Sequence, residues 1–192
     1  EGETAHSGAV DHEFRHDAVA ALTDLLYVMN RHWEAWLHDG KDLVFTCGVI
    51  NTPSTADISI ISGDVSFGLD MRSLCMETIR AFHDLLLEEA AAIEEKRGVK
   101  FTFDDVIVGE AASPDEALFN RLVKAAKDHD IPHLTMASGA GHDAAVMTSA
   151  GVPTCMLFVA NQNGSHNPHE AMRFSDFLSG AEILMHAAVD YD

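Results

Sequence analysis

One continuous apolar run, residues 152–159, limits what this chain can fold into more than any other stretch of it. Turn-forming residues bound the run on both sides, and a short apolar run of this kind predicts a strand that is buried on both faces. Such a strand needs neighbours along both edges, because an unpaired apolar edge leaves backbone hydrogen-bonding groups exposed. The run and a second short strand predicted at residues 133–136 therefore indicate part of a parallel sheet.

Helices are predicted on both sides of these strands, at residues 113–128, 142–149 and 175–189. Ser113 is expected to be the N-cap of the first of them, with Pro114 at the first helical position and Glu116 at the third, which is a capping-box pattern. The alternation of helix and strand is typical of an α/β domain. Residues 112–192 are thus expected to form one domain.

The preceding part of the chain follows a different order. Strands are predicted at residues 1–8, 43–50, 58–61, 65–71 and 100–108, and amphipathic helices at residues 13–36 and 74–96. This order of strand, helix, strand, strand, helix and strand predicts a ferredoxin-like βαββαβ sheet with both helices on one face. Residues 1–111 are therefore expected to form a first, α+β domain, and the whole chain to be of the α/β class.

Charge and cysteine content narrow the classes of partner and compartment. The 192 residues carry a formal net charge of -19, which opposes binding to nucleic acid or to an anionic membrane surface. No stretch of about 18 apolar residues predicts a membrane span, and the acidic N-terminus is unlike a secretory signal. Cys47, Cys75 and Cys155 are odd in number and widely spaced, which is typical of reduced core thiols in a cytoplasmic protein.

Two polar motifs flank the apolar run, at residues 138–144 and 163–170. The second places His166 among Asn, Gly and Pro, residues that hold a loop side chain at a strand end, and a neutral imidazole is the commonest metal ligand. One histidine does not make a metal site, so a solvent-exposed turn histidine is the alternative interpretation. In the first motif, Gly139 and Gly141 allow an exposed amide at a helix N-terminus, where an anion or polarised carbonyl binds well.

The remaining histidines offer weaker evidence for a metal. His12 and His16 stand four residues apart, and His129 and His133 flank a turn, but both pairs are interpreted as solvated surface because each lacks a third ligand. His186 has no partner that the sequence predicts.

Arg72 lies at the end of a predicted apolar strand, where a guanidinium needs an anion. Either Asp70 neutralises it, or it grips a substrate carboxylate through a bidentate fork.

Four motifs in one order resemble those of the M20-type metal-dependent amidohydrolases. The closest likeness is to the hydantoinase/carbamoylase branch, which contains N-carbamoyl-L-amino acid hydrolases, allantoate amidohydrolases and β-ureidopropionases. The motifs are residues 5–8 with 15–18, residues 70–73, residues 138–144 and residues 163–170. The chain departs from the family at residues 9–12, where Thr-Thr-Pro-Met is usual, and at Ser59, where many carbamoylases have an asparagine that contacts the substrate.

The resemblance implies a different role for each of the two expected domains. Residues 1–111 would be a lid through which the enzyme forms a homodimer, and residues 112–192 the C-terminal segment of the metal-binding catalytic domain. The family's other metal ligands and its general-base glutamate would lie upstream of Glu1. The isolated chain is therefore expected to be inactive.

The resemblance also implies roles for particular residues. His166 would be a terminal ligand of a centre with two divalent ions per complete subunit, zinc or manganese, with cobalt or nickel also compatible. His6 would reach the active site of the neighbouring subunit and stabilise the transition-state oxygen. The remaining roles are catalysis or substrate contact for His142, substrate contact for Gly141 and Ser59, and capture of the substrate carboxylate for Arg72.

These implications give the expected function: a metal-dependent amidohydrolase that hydrolyses the linear C–N bond of an N-carbamoyl amino acid or a related ureido acid. Its substrate would be small and anionic. Two alternatives remain open, an M20-type aminoacylase or peptidase and a dimerisation module without activity.

Overall fold

The structure, a computed structural model, describes residues 1–109 and 113–189, so the expected domain boundary between residues 111 and 112 lies outside the described residues. The chain divides into two compact units, Glu1–Ile107 and Val108–Asp192. Helices and small sheets together confirm the expected mixed α/β class. None of the helices within the described ranges is long and apolar enough to cross a membrane.

The first unit contains two long helices and two short antiparallel ladders. Its elements in chain order are β1 (Ala5–His6), a 3-10 turn (His12–Phe14), α1 (Ala18–His38), β2 (Val44–Asn51), β3 (Ile60–Ile61), β4 (Ser66–Arg72) and α2 (Met76–Arg97). α1 begins where the Asp17 carboxylate accepts a hydrogen bond from the Ala20 amide across 2.9 Å. α2 ends at Gly98, whose φ of 62° is the left-handed conformation that commonly ends a helix.

The core of the first unit lies between the two helices and the β2–β4 ladder. Leu25 and Met29 of α1 and Phe82 of α2 are fully buried there. The Phe82 ring packs edge-on against Phe45 of β2 and Trp36 of α1, with ring centroids 5.3 and 5.1 Å away. This aromatic contact joins both helices to the sheet and so fixes the position of the strands.

The sheet is divided into two ladders, β1 with β3 and β2 with β4. The break falls at residues 62–64, between the strands predicted at 58–61 and 65–71, where the Ser62 hydroxyl donates to the Asp64 carbonyl across 2.7 Å. Gly63 lies so close to the N-terminal segment that an added Cβ would sit 2.4 Å from the Thr4 nitrogen. Only glycine therefore permits this approach.

The predicted strand at residues 100–108 forms no ladder among the described residues. Glu1 and Lys100 exchange backbone hydrogen bonds of 2.7 Å in both directions, as the start of an antiparallel pair would. The pairing stops there, since the Phe101 amide donates to the Glu94 carboxylate across 2.6 Å instead. When this contact is counted, the extended segments lie side by side in the order residue 100, residues 1–6, residues 60–72 and residues 44–51. This order is consistent with a ferredoxin-like sheet.

The second unit contains three helices, α3 (Glu116–Asp128), α4 (Asp143–Ser149) and α5 (Phe174–Val189). α3 and α5 pack together around a small buried cluster: Ala125, Ala126, Ile131, Ile183 and Ala187. The predicted Ser113 cap of α3 is wrong. The N-cap is Asp115, whose carboxylate accepts from the Leu118 amide across 2.9 Å, because an aspartate reaches that amide as well as a serine does.

The strands predicted at residues 133–136 and 153–159 have no ladder partner in the described part of the chain. Residues 153–159 instead contact α3 and α5. The Thr154 carbonyl accepts a hydrogen bond from the amide of Asp115, the N-cap of α3, across 2.8 Å, and Leu157 packs on the α3–α5 cluster. Leu134 and Phe158 leave 82 % and 47 % of their surface exposed. An apolar extended segment needs a neighbouring strand to form a ladder, and these two segments do not pair with each other.

Candidate functional site

The β1–β3 ladder determines the surroundings of His6. His6 pairs with Ile60 of β3, and the Ser7 amide donates to the carbonyl of Ser59 across 2.9 Å, so Ser59 lies just before β3, next to the residue that pairs with His6. The Gly8 amide donates to Nδ1 of His6 across 3.0 Å. Because Nδ1 acts as an acceptor, the neutral ring carries its proton on Nε2. His6 is exposed and thus presents an N–H donor to its surroundings.

Arg15 holds the loop that follows His6. Its Nε donates to the Val10 carbonyl across 3.0 Å and a terminal nitrogen donates to the Ser7 carbonyl across 2.5 Å. One partly buried guanidinium therefore ties together the two ends of residues 7–10. A fork with fixed donor directions suits this role better than a lysine ammonium would.

Ser59, the predicted substrate-contacting residue, is exposed and bonded to Asp57. Both its amide and its hydroxyl donate to one Asp57 carboxylate oxygen, across 3.1 and 2.9 Å. These bonds hold the pKa of Asp57 below its ordinary value, the backbone bond contributing most. The Ser59 hydroxyl keeps its lone pairs as acceptors.

Arg72 lies at the end of β4, opposite Val44 of β2, in a separate ladder from His6. Its Nε donates to the Asp70 carboxylate across 2.7 Å, and about half of each side chain is exposed. Among the described residues, no hydrogen bond engages the two terminal nitrogens of Arg72. The Asp70 pairing considered from the sequence is thus present, while the end of the fork stays available to another anion.

His166 lies in a loop with unusual backbone geometry. Its φ is 62°, and Asn163 and Gly164 are also in the left-handed region, with φ of 66° and 70°. A non-glycine residue adopts this conformation at an energetic cost, and such residues concentrate at functional sites. The His166 side chain is exposed, and within the described ranges no hydrogen bond engages its imidazole.

Glu170 organises this loop, and sequence reasoning did not identify it. Its carboxylate accepts from the Asn161 amide group and the Ser165 hydroxyl, both across 3.0 Å, and from the His166 backbone amide across 3.2 Å. These bonds, that of Asn161 first, lower the pKa of Glu170. The sequence did contain an indication of this role, because Glu170 lies only four residues after His166.

The first polar motif bends just before α4. The Ser138 hydroxyl donates to the Ala140 carbonyl across 2.8 Å, and Gly139 has a φ of 65°. His142 is the N-cap of α4 without a capping side-chain bond, and its ring packs against Phe158 with centroids 5.5 Å apart. A Cβ at Gly141 would meet no atom within 4 Å, so the backbone there is open to a ligand.

The structure thus brings some of the expected site residues together. In the first unit, His6 belongs to the β1–β3 ladder, Ser59 directly precedes β3, and Arg72 lies in the β2–β4 ladder. In the second unit His142 contacts the segment that leads into the His166 loop. Each of these roles stays a prediction.

One grouping of metal-ligating side chains was missed from the sequence. Among the described residues, His129, Glu182 and His186 place one ligand atom each within 4.8 Å of the others. His129 is exposed, as expected, but His186 has a partner that the sequence did not indicate, since the two rings stack with centroids 3.5 Å apart. The spacing of four between Glu182 and His186 in a predicted helix could have indicated the pair.

Comparison with known proteins places these features in a family. The family model described as peptidase family M20/M25/M40 matches residues 8–190, a range that includes Ser59, Arg72, Gly141, His142 and His166. Allantoate amidohydrolase of Escherichia coli strain K12 is 28 % identical over 184 residues, covering 95 % of this chain and 44 % of that protein. Allantoate amidohydrolase of Bacillus subtilis strain 168 is 31 % identical over 172 residues, covering 88 % and 40 %.

Solved structures extend the likeness to the fold. AtUAH in complex with (S)-hydroxyglycine matches with a TM-score of 0.85 and 26 % identity, covering all of this chain and 45 % of that one. An amidase of the hydantoinase/carbamoylase family from Burkholderia multivorans matches with a TM-score of 0.83 and 27 % identity, covering 97 % and 44 %. The chain spans less than half the length of these relatives. Since the family model matches nearly its whole length, this chain belongs to peptidase family M20/M25/M40.

Proposed function

We propose that this chain is part of a metal-dependent amidohydrolase that hydrolyses the linear C–N bond of an N-carbamoyl amino acid or a related ureido acid. The observation that carries the proposal is that relatives matching across both units are an allantoate amidohydrolase and N-carbamoyl-L-amino-acid amidohydrolases. In this proposal, residues 1–111 act as the lid and residues 112–192 as the C-terminal segment of the catalytic domain.

His166 is the residue of this chain that would hold a divalent ion. Its imidazole is exposed and free of hydrogen bonds within the described ranges, and its backbone is fixed by the Glu170 bonds, which together suit a metal ligand. A pair of divalent ions, zinc or manganese, would activate water and polarise the scissile carbonyl. Among the described residues, no group of three or more potential metal ligands includes His166, so we expect the 192-residue chain alone to be inactive.

His6 would donate its Nε2–H to the oxygen that becomes negative as water attacks the carbonyl. The bond from Gly8 supports this role, because it leaves Nε2 protonated. We propose that His6 acts across a homodimer formed through the first unit, in the partner's active site. His142, at the start of α4, would contact the substrate together with Gly141.

Arg72 would bind the substrate carboxylate. Asp70 occupies its Nε and so orients the guanidinium, while the two terminal nitrogens would bind the substrate carboxylate. Ser59, near His6, would accept a hydrogen bond from the carbamoyl or ureido nitrogen. A small anionic substrate is therefore recognised by one basic group in an otherwise acidic protein.

A cytoplasmic location is also proposed. Cys47, Cys75 and Cys155 are all free, as expected where thiols are kept reduced. Burial raises the pKa of Cys47 and Cys155, which disfavours their thiolate forms. Cys75, by contrast, is exposed beside α2 and is not the core thiol that the sequence predicted.

The test uses protein expressed from its complete coding sequence and loaded with manganese or zinc. It compares an N-carbamoyl-L-amino acid with the N-acetyl derivative of the same amino acid, and measures ammonia and free amino acid. We expect ammonia and amino acid in equal amounts from the carbamoyl compound. Turnover of the acetyl compound or of a dipeptide alone would favour the aminoacylase or peptidase alternative, and no turnover by metal-loaded protein would favour a dimerisation module.

A further inference from the structure

At the C-terminal end of α3, where it lies beside α5, three side chains could bind one cation together. His129 is the C-cap of α3, and Glu182 and His186 lie four residues apart on one face of α5. One ligand atom from each lies within 4.8 Å of the other two. None of the three belongs to the loop that carries His166.

The backbone that carries these side chains is anchored by buried residues. Ile183 and Ala187 directly follow Glu182 and His186 and are buried against α3, while Ile131 is buried just after His129. The Ile131 amide donates to the Ala126 carbonyl across 2.8 Å, which fixes the turn after α3. The ligand set is therefore held on rigid elements, with the side chains themselves reachable from solvent.

The donor set is specific in its chemistry. Two imidazoles and one carboxylate are a typical set for Zn²⁺, with water completing a tetrahedral site, whereas Mg²⁺ and Ca²⁺ prefer oxygen ligands alone. No described side chain donates a hydrogen bond to the Glu182 carboxylate, so its oxygens are available. The net charge of -19 also raises the local concentration of cations.

The two imidazoles are stacked, with ring centroids 3.5 Å apart and planes 18° from parallel. A metal ion lies in the plane of each ring that binds it, so two nearly parallel rings cannot both bind one ion without turning. Binding must therefore tilt the rings apart and replace the stack. This change is a specific signature, because an ion held elsewhere on the protein would leave the stack in place.

We propose that His129, Glu182 and His186 form a binding site for Zn²⁺ or a similar borderline cation. The bound ion would connect the C-terminal end of α3 to α5. The ion has a structural role there: it links two helices that pack around a small buried cluster, in which three of the five side chains are alanine. This proposal does not depend on the amidohydrolase activity.

The test measures Zn²⁺ binding to protein expressed from its complete coding sequence, by competition with a chromophoric chelator. Wild type is compared with His129→Ala, His186→Ala and the nearly isosteric Glu182→Gln. We expect each variant to lose one equivalent of bound Zn²⁺, or to bind it at least about 10-fold more weakly, since even outer-shell changes cost about 10–100-fold in metal affinity. His38→Ala, an exposed histidine of α1, and His166→Ala are the controls and should keep this equivalent.

NMR of the histidine ring protons gives the second readout. Zn²⁺ should shift the His129 and His186 signals together in wild type and in His166→Ala, whereas Mg²⁺ at the same concentration should leave them unchanged. Unaltered Zn²⁺ stoichiometry and affinity in all three cluster variants would overturn the site. An equal response to Mg²⁺ would overturn the assigned cation class.

Discussion

The backbone amide of Gly8 donates to Nδ1 of His6 across 3.0 Å and so determines which ring nitrogen carries the proton. A histidine in this state donates through Nε2 without first being protonated. The β1–β3 ladder and the Arg15 contacts hold the loop in which this bond forms. Local structure alone therefore leaves the Nε2–H of His6 free to donate, as its proposed role requires.

Replacing His6 by alanine tests this role in the complete enzyme. We expect kcat to fall about 10²–10³-fold with little change in KM, because the lost donor acts on the transition state more than on the bound substrate. Steady-state kinetics with an N-carbamoyl amino acid would measure both constants. His12→Ala, an exposed histidine of the same segment, is the matched control; a loss of the same size in that variant would contradict a specific role for His6.

Changing Arg72 to lysine tests carboxylate capture. Lysine keeps the charge but loses the planar fork, so we expect KM to rise about 10-fold or more, with a smaller effect on kcat. The same variant should discriminate less between a substrate and its uncharged amide analogue. Asp70→Asn removes the orienting partner and keeps the fork, so its KM should rise less. Equal KM values for wild type and Arg72→Lys would refute the assignment.

The pKa of Glu170 is lowered by its bonds to Asn161, Ser165 and His166, which gives the loop a defined pH dependence. A carboxylate with a lowered folded-state pKa stabilises the loop above its unfolded pKa and loses that effect as pH falls through the folded value. The protection factor of the His166 amide, which is the exchange rate of an unstructured peptide at the same pH divided by the observed rate, should therefore fall as acid protonates Glu170. Glu170→Gln should show the lower protection factor already at neutral pH, and Glu116→Gln, an exposed glutamate of α3, should not.

Asp24 of α1 binds Arg97 of α2 across 2.8 Å and Lys96 across 3.3 Å. The bond from Arg97 is the main cause of the lowered pKa of Asp24. Asp24→Asn should thus reduce the free energy of unfolding by about 1 kcal/mol at pH 7, since the pair is partly exposed. Urea unfolding should show the difference between variant and wild type shrinking as pH falls through the lowered pKa of Asp24. A difference that persists in strong acid would mean that the charge is not its cause.

The helices were largely predictable because their signals are local. The apolar spacing along α1 and α2 and the glycine after α2 are each determined by residues within a few turns. The start of α3 was misplaced by two residues because serine and aspartate are both good N-caps, and only the structure shows that Asp115 reaches the Leu118 amide.

The strands and the site were harder to predict because they depend on partners distant in sequence. Residues 100–108 and 153–159 have the composition of strands, but a ladder needs a neighbour that no local pattern supplies. The same limit applied to His129, whose partner His186 follows it by 57 residues and meets it only through the packing of α3 on α5. Glu170, by contrast, lies four residues from His166 and was predictable in principle.

The left-handed backbone at His166 restricts which amino acids that position accepts. Asparagine, aspartate and glycine tolerate the conformation, whereas β-branched residues do not. Valine or threonine at this position would therefore damage the loop before any question of metal affinity arises. Asparagine is the informative replacement, since it preserves the backbone and removes the imidazole. The backbone conformation thus limits which amino acids can occupy this position. A different metal-binding residue introduced here would have to adopt the same left-handed conformation before it could bind an ion.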